Sequence, residues 1–359
     1  MNYRQVSIFS NQSLGKDGTE VININLKDPI SRLVFLLEVT TGAGNFDRHI
    51  SEALTKIELI DGSEVILSLS GSQMDAIPYF LGRPLTINRT GWEQSTTHYA
   101  RLYYDFGRYL FDEKYALDPA KLNNPQLRIT FDAENVESNA TDVTLEVNAL
   151  VFDEKVAQAS NFLTAKEIKE YSPSDDSWEY TDMPTDNPYR LLLVQAYNPG
   201  KTFDEILAHV KLSEENDKRL PYDLSAEKLL DDNALHYGRV YDQAIGEAQT
   251  SSRKIMSRVG KQMAVGNAAA NEGNLDEITI NEAAEIEING SSSAFDLSLI
   301  ISGFAPHSIA SLYVGDPAWE NDWFNVSALG NLQLQLKGAG SANSNAGNPR
   351  IILQQARGY

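Results

Sequence analysis

The chain has 359 residues, of which 50 are Asp or Glu, 30 are Lys or Arg and 5 are His, and its formal net charge is -20. That balance repels phosphate backbones and anionic lipid at long range, so no specific nucleic acid is expected as a partner. The absence of cysteine excludes disulfides, thiolate catalysis and zinc–thiolate sites, which leaves packing and association to stabilise the fold.

The length suits two domains of roughly 150 residues each, and 42% hydrophobic residues are enough to build a core in both. The first ten residues are polar and alternating, without a basic leader and apolar core, and read as mature chain rather than a secretory signal. The longest apolar runs, 33–37 and 191–194, are strand length and fall short of the ~18 to 20 residues that span a bilayer.

In chain order, β-patterned segments come at 20–25 (EVININ), 32–40 (RLVFLLEVT), 55–60, 64–69, 97–104, 126–131 and 143–151. Their length, β-branched content and Gly, Asn, Asp or Pro punctuation predict one complete β-sandwich by about residue 153. The stretch 155–187 turns polar, with SPSDD from Ser172 and MPTDNP from Met183. It reads as the crossing between domains, with one strand at 162–171 opening the second half.

Strand patterns resume at 189–197 (YRLLLVQAY), 205–212, 277–280, 285–288, 295–302, 309–314, 332–336 and 350–354. Helical patterns are confined to 72–80, 225–236 and 241–270. In the last of these, Ile245, Ala248, Ile255, Val259, Met263 and Val265 recur at loose helical intervals, with Arg253, Lys254, Arg258 and Lys261 between them, and an amphipathic helix is expected.

The halves repeat an order of features. ISRLVFLLEVTTG from Ile30 matches PYRLLLVQAYNPG from Pro188, and TKIELI from Thr55 matches ILAHVKL from Ile206. SGSQMDAIPYFLGR from Ser70 matches LSAEKLLDDNALHYGR from Leu224, with Ser72 and Ser225 as expected N-caps and Gly82 and Gly238 as C-cap glycines. YALDPAKLNNPQLRITFD from Tyr115 parallels FNVSALGNLQLQLKG from Phe324.

This arrangement resembles the double jelly-roll major capsid proteins of tailless icosahedral DNA viruses, the lineage of membrane-containing bacteriophages and adenovirus hexons. The residues that carry the likeness are ELIDGSEVILSLSGSQMDAIPYFLG, LDPAKLNNPQLRITF and VSALGNLQLQLKG, and it extends over essentially the whole chain. The resemblance implies an all-β fold of two consecutive eight-stranded jelly-roll β-sandwiches with short helices in loops. Residues 1–158 would form the N-terminal roll and 159–359 the C-terminal roll, with an insertion at about 240–290. It also implies a structural protein of the virion: a homotrimer forming pseudo-hexagonal capsomers, assembled in the host cell cytoplasm. Its partners would be neighbouring capsomers, penton and minor capsid proteins, and an internal membrane in some viruses. The inserted residues 240–273 have no counterpart in the first half. They read as a loop with one helix packed on its own trimer, or as a capsomer tower or a contact with a neighbour or an inner membrane.

No enzyme and no cofactor is expected. His49, His98, His209, His236 and His307 lie far apart in sequence, with no zinc-like spacing, and read as structural or surface residues. Gly260 to Gly266 lacks the GK[ST] ending of a phosphate loop. Ser291, Ser292 and Ser293 belong to a turn and not to a nucleophile elbow. The pairs Asp175–Asp176 and Asp231–Asp232 could flank a glycosidic bond, and DPAWENDW from Asp316 could hold a cation. Commoner readings are an acidic loop, a solvated helix face and a turn anchored by Trp319 and Trp323. The rival function is a carbohydrate-binding or adhesive β-sandwich, with Trp92, Trp178, Trp319 and Trp323 as stacking platforms. Arg4 and Lys16 are the basic residues expected to face a capsid interior.

Overall fold

The structure is a computed structural model that describes residues 2–86, 95–154, 159–248, 253–269, 275–281, 283–290, 295–345 and 347–359. The first eight strands are β1 (Tyr3–Ser13), β2 (Asp17–Asn23), β3 (Ile30–Thr40), β4 (Leu54–Asp61), β5 (Glu64–Leu69), β6 (Thr97–Asp105), β7 (Pro125–Asp132) and β8 (Asp142–Phe152). They form two antiparallel sheets, in the orders β1-β8-β3-β6 and β2-β7-β4-β5.

Period-two alternation explains why these sheets face one another. Along β3, Leu33, Phe35, Leu37 and Val39 are buried, while Arg32, Val34, Leu36 and Glu38 between them are half-buried. They meet Ala149, Val147, Leu145 and Val143 of β8 in register. Ile57 and Leu59 of β4 meet Ile129 and Leu127 of β7 on the opposing sheet, and the two apolar faces close into one core.

The second half repeats this wiring. Its strands are β9 (Asn161–Glu170), β10 (Trp178–Asp182), β11 (Tyr189–Gln195), β12 (Leu207–Glu214) and β13 (Arg219–Ser225), then, after an insertion, β20 (Ile309–Leu312), β21 (Leu332–Gly338) and β22 (Arg350–Gly358). The sheets run β9-β22-β11-β20 and β10-β21-β12-β13, the same order as in the first half when strands are counted from its start. Both halves are therefore jelly rolls. Each matched pair read from the sequence falls on equivalent strands: β3 with β11, β4 with β12 and β7 with β21.

The rolls join edge to edge. β5 and β9 pair in parallel at Ser68 and Lys166, which fuses the β2-β7-β4-β5 and β9-β22-β11-β20 sheets into one of eight strands. Among the described residues four helices lie between strands: α1 (Gly71–Phe80), α2 (Phe203–Ile206), α3 (Ala226–Tyr237) and α4 (Ala342–Asn345). α1 follows β5 and α3 follows β13, as the internal repeat predicts.

Three expectations need correction. The described residues of 241–270 are not helical: they contribute β14 (Val240–Ala248), β15 (Arg253–Met256) and β16 (Val259–Ala269), followed by β17 (Leu275–Ile280), β18 (Glu285–Gly290) and β19 (Phe295–Pro306). β14 and β16 flank the long strand β19, and β15-β18-β17 make a second small sheet. Pairing with distant strands overrides a weak local helical period. The insertion also packs within its own chain, since Ile255, Val259, Ile286, Leu299 and Ile301 share the core of the first roll. The N-cap of α1 is Ser70 rather than Ser72: Ser70 and Gln73 form a reciprocal capping box. The crossing segment holds a further strand, β10, and β1 and β13 occupy stretches that read only as polar.

Helix α1 is buried along its whole length, and its placement depends on Gly71. A Cβ there would lie 2.0 Å from the carbonyl oxygen of Ser51, in the 3-10 turn Ile50–Ala53. Gly71→Ala is expected to cost about 1–3 kcal/mol, read as a lower urea midpoint. Gly266→Ala, whose Cβ would meet nothing within 4 Å, should leave the midpoint within about 0.5 kcal/mol of wild type.

Candidate functional site

The chemistry-bearing side chains that the fold brings together lie where α1, the inserted sheet and the turn between β19 and β20 meet. Gln73, in the first turn of α1, donates to Gln195 of β11 at 3.1 Å and to Glu167 of β9. Gln195 donates in turn to the carbonyl of His307 at 3.2 Å. These bonds tie the start of α1 to the second roll.

One residue past that turn, Asp75 Oδ2 pairs with His307 Nε2 at 2.8 Å, and Asp75 Oδ1 accepts from Arg258 Nη1 at 3.3 Å. The backbone N–H of Arg258 donates to Asp242 Oδ2 at 3.0 Å, and its Nη2 to the Thr86 carbonyl at 2.8 Å. His49 stands opposite, with its Nε2 3.8 Å from Asp242 Oδ2 and its ring 5.0 Å from that of His307. All five side chains are at most 3% exposed. The first roll supplies His49 and Asp75, the insertion Asp242 and Arg258, and the turn between β19 and β20 His307.

Electrostatics separate the two carboxylates. Burial pushes the Asp75 carboxyl up, but Arg258 beside it and the His307 hydrogen bond outweigh that and bring it down to about 2. At Asp242 burial prevails over Arg258, and the carboxyl is raised above its ordinary range. His49 is held well below the usual imidazole value by burial, with His307 and Arg258 acting in the same direction.

A second buried cation sits between the rolls. Arg190 of β11 is 2% exposed and is held by neutral acceptors: Pro317 O at 2.9 Å, Arg108 O at 3.2 Å and Gln354 Oε1 at 3.3 Å. Burial, reinforced by Arg83, lowers it to about 9. Nearby, Asp105 takes both Arg32, at 2.6 Å, and Arg83.

The residues singled out from the sequence mostly serve structure. Trp323 is buried against Tyr115 and donates to Pro317 O at 3.2 Å; Trp178 is half-buried beside His209; Trp319 is 69% exposed. Trp92 and Ser291 to Ser293 lie outside the described residues. Asp316 caps the N–H of Ala318, and Glu320 pairs with Lys114 at 2.6 Å. Asp175 accepts from Asn343 N, and Asp176 pairs with Lys337, whereas Asp231 and Asp232 are exposed on α3. Gly260 allows close approach to the Ala305 carbonyl within a strand and is not part of a phosphate loop. Arg4 pairs with Asp28 and Asp153, and Lys16 with Glu134. His98 contacts Thr41, His209 pairs with Asp223, and His236 stacks on Tyr313. The convergence of His49 and His307 has no sequence signal, because it is made by tertiary contact alone.

No protein-family model matches the chain, and no curated protein matches its sequence. Solved structures do. The crystal structure of the STIV MCP, from the Sulfolobus Turreted Icosahedral Virus, is similar with a TM-score of 0.58 at 10% identity, over 99% of this chain and 96% of that one. The PBCV-1 virus capsid protein gives 0.53 at 12% identity, over 99% and 94%. The major capsid protein P2 from Bacteriophage PM2 gives 0.53 at 7% identity, over 99% and 97%. The shared feature is the double jelly-roll fold along the whole chain.

Removing the buried guanidinium leaves Asp75 and Asp242 uncompensated. Arg258→Met is expected to cost about 3–5 kcal/mol in chemical unfolding, whereas Arg4→Ala, at a half-exposed surface pair, should cost about 0–1 kcal/mol.

Proposed function

We propose that this chain is the major capsid protein of an icosahedral virus, with three copies forming a pseudo-hexagonal capsomer of the virion shell. The observation that carries this reading is the end-to-end match of both rolls to viral capsid proteins, at 99% coverage of this chain and 94–97% of theirs. Two similar rolls joined at β5 and β9 give one chain two quasi-equivalent wedges, so three chains present six. In this reading residues 1–158 and 159–359 are the two wedges. The partners are copies of the same chain, neighbouring capsomers, and the penton and minor capsid proteins that close the shell, with an internal membrane beneath it in some viruses. The work of the protein is association rather than catalysis, carried out in the host cytoplasm.

Apolar side chains left exposed by the monomer support a multimer. Tyr241 on β14 is 61% exposed and Ile300 on β19 is 59% exposed. They lie one diagonal step apart on one face of the inserted sheet, since Tyr241 pairs with Ser302 and Gln243 with Ile300. Leu235 on α3 is 87% exposed. Such residues suit surfaces that become covered between subunits.

Light scattering across a concentration series tests the reading. A stable species near three times 39.8 kDa is expected, and a strict monomer would overturn it and direct attention to glycan binding at Trp319. The double substitution Tyr241→Asp with Ile300→Asp should shift that mass toward monomer while leaving far-UV circular dichroism unchanged.

Salt should control the next level of assembly. At -20 per chain, capsomers repel, and raising ionic strength from about 0.01 to 0.15 M shortens the screening length from about 30 to 8 Å. Sheets or shells seen by electron microscopy are therefore expected to increase with salt, and a decrease would argue that attraction between opposite charges drives the lattice.

A further inference from the structure

Two nitrogens of the buried cluster, Arg258 Nε and His49 Nε2, are fully buried without a hydrogen-bond partner among the described residues. The guanidinium nitrogen still faces Asp242 Oδ1 at 3.5 Å, and of the two only His49 Nε2 can ligate a metal. The other nitrogen of His49, Nδ1, lies 2.9 Å from Ser51 Oγ and 3.2 Å from Ser51 N. If Nδ1 accepts from Ser51 N, Nε2 carries a proton whose nearest carboxylate, Asp242, is 3.8 Å away, beyond hydrogen-bond range. If Nδ1 donates to Ser51 Oγ, Nε2 points a lone pair at two carboxylates. Both tautomers leave this atom lacking a partner, and the second is the arrangement found in metal-ligating histidines, whose far nitrogen donates to an oriented oxygen.

We propose that His49, Asp75 and His307 bind one divalent transition-metal ion of the zinc class, with the fourth position left to water. Ligating atoms of His49, Asp75 and His307 already lie within 4.8 Å of one another. Tetrahedral ligands about 2.0–2.1 Å from a zinc ion stand roughly 3.3 Å apart, so the three side chains would draw in around an ion; His307 and Asp75 already stand at 2.8 Å. Two imidazoles with one carboxylate form a borderline nitrogen and oxygen set that suits zinc, cobalt or nickel. With both imidazoles neutral, Asp75, Asp242 and the Arg258 guanidinium leave a negative charge in a buried site, which a cation offsets. Arg258 donates to Asp75 at 3.3 Å, as a supporting residue holds a ligand.

A tight turn delivers one of these ligands. His307 and Ser308, the two residues between β19 and β20, have φ of 53° each, a left-handed conformation that favours glycine or asparagine. Surrounding contacts hold such a turn in place, and here the His307 imidazole is fixed inward on Asp75. An ion at this point would bond at once to the first roll and to this turn.

The test is metal content and metal response of the whole chain. Protein refolded from denaturant with zinc, then dialysed, is expected to retain one equivalent by elemental analysis, and with cobalt to develop visible ligand-field absorption. Its thermal midpoint should fall on treatment with a chelator and recover with zinc. His49→Gln and His307→Gln should abolish the cobalt spectrum, while His236→Gln, an exposed imidazole outside the cluster, should keep it. Wild-type protein that retains no zinc, shows no cobalt spectrum and has the same midpoint with chelator and with zinc would overturn the proposal, leaving a proton or a water molecule to complete the cluster. That comparison needs no variant, so it holds even where a histidine substitution prevents folding, and it is independent of subunit association.

Discussion

A sheet edge carries unpaired N–H and C=O groups, and a sandwich leaves such edges on both of its sheets. In this chain β5 of the first roll meets β9 of the second in parallel, and Thr164 of β9 reaches the Ile66 carbonyl of β5. That pairing fixes the rolls side by side and determines what else is in contact. It brings Gln73 within reach of Glu167 and Gln195, sets α1 against the turn between β19 and β20, and creates the interior in which Arg190 is held by carbonyl and amide oxygens.

Polar groups rather than more apolar surface lock this junction. A buried ion pair contributes little net stability over a hydrophobic substitute, but it is intolerant of misregistration. Asp75, Asp242 and Arg258 satisfy one another only when the first roll and the insertion adopt one relative placement. The chain thus uses apolar burial for the two sandwiches and charge to align the insertion with the first roll.

The strands that carry alternating or continuous apolar side chains were legible before any coordinates, because β3, β7, β8, β11 and β21 each bury one or both faces. So was the repeated order of strand, strand, helix and glycine. What escaped was set by distance in the chain. Residues 241–270 have local helical spacing, yet β14 and β16 gain their backbone partners from β19. The exposed strands β1 and β13 read as polar because most of their side chains face solvent or are only half-buried. Ser70 was passed over for Ser72, although Gln73 three residues after Ser70 is the capping-box signal. No spacing rule could unite His49, Asp75 and His307, since each comes from a different loop or helix.

The position of β22 has a consequence for biosynthesis. Residues 350–358 lie in the interior of a sheet, between β9 and β11, and both neighbours are translated more than a hundred residues earlier on the same messenger. The first roll, whose strands all precede residue 153, can condense while the ribosome is still at work. The second cannot close until its final strand has left the exit tunnel. During that interval β9 and β11 stand without the strand that joins them, so the nascent chain passes through a stage in which open edges could recruit a neighbouring chain, and slow contacts between distant segments decide how long that stage lasts.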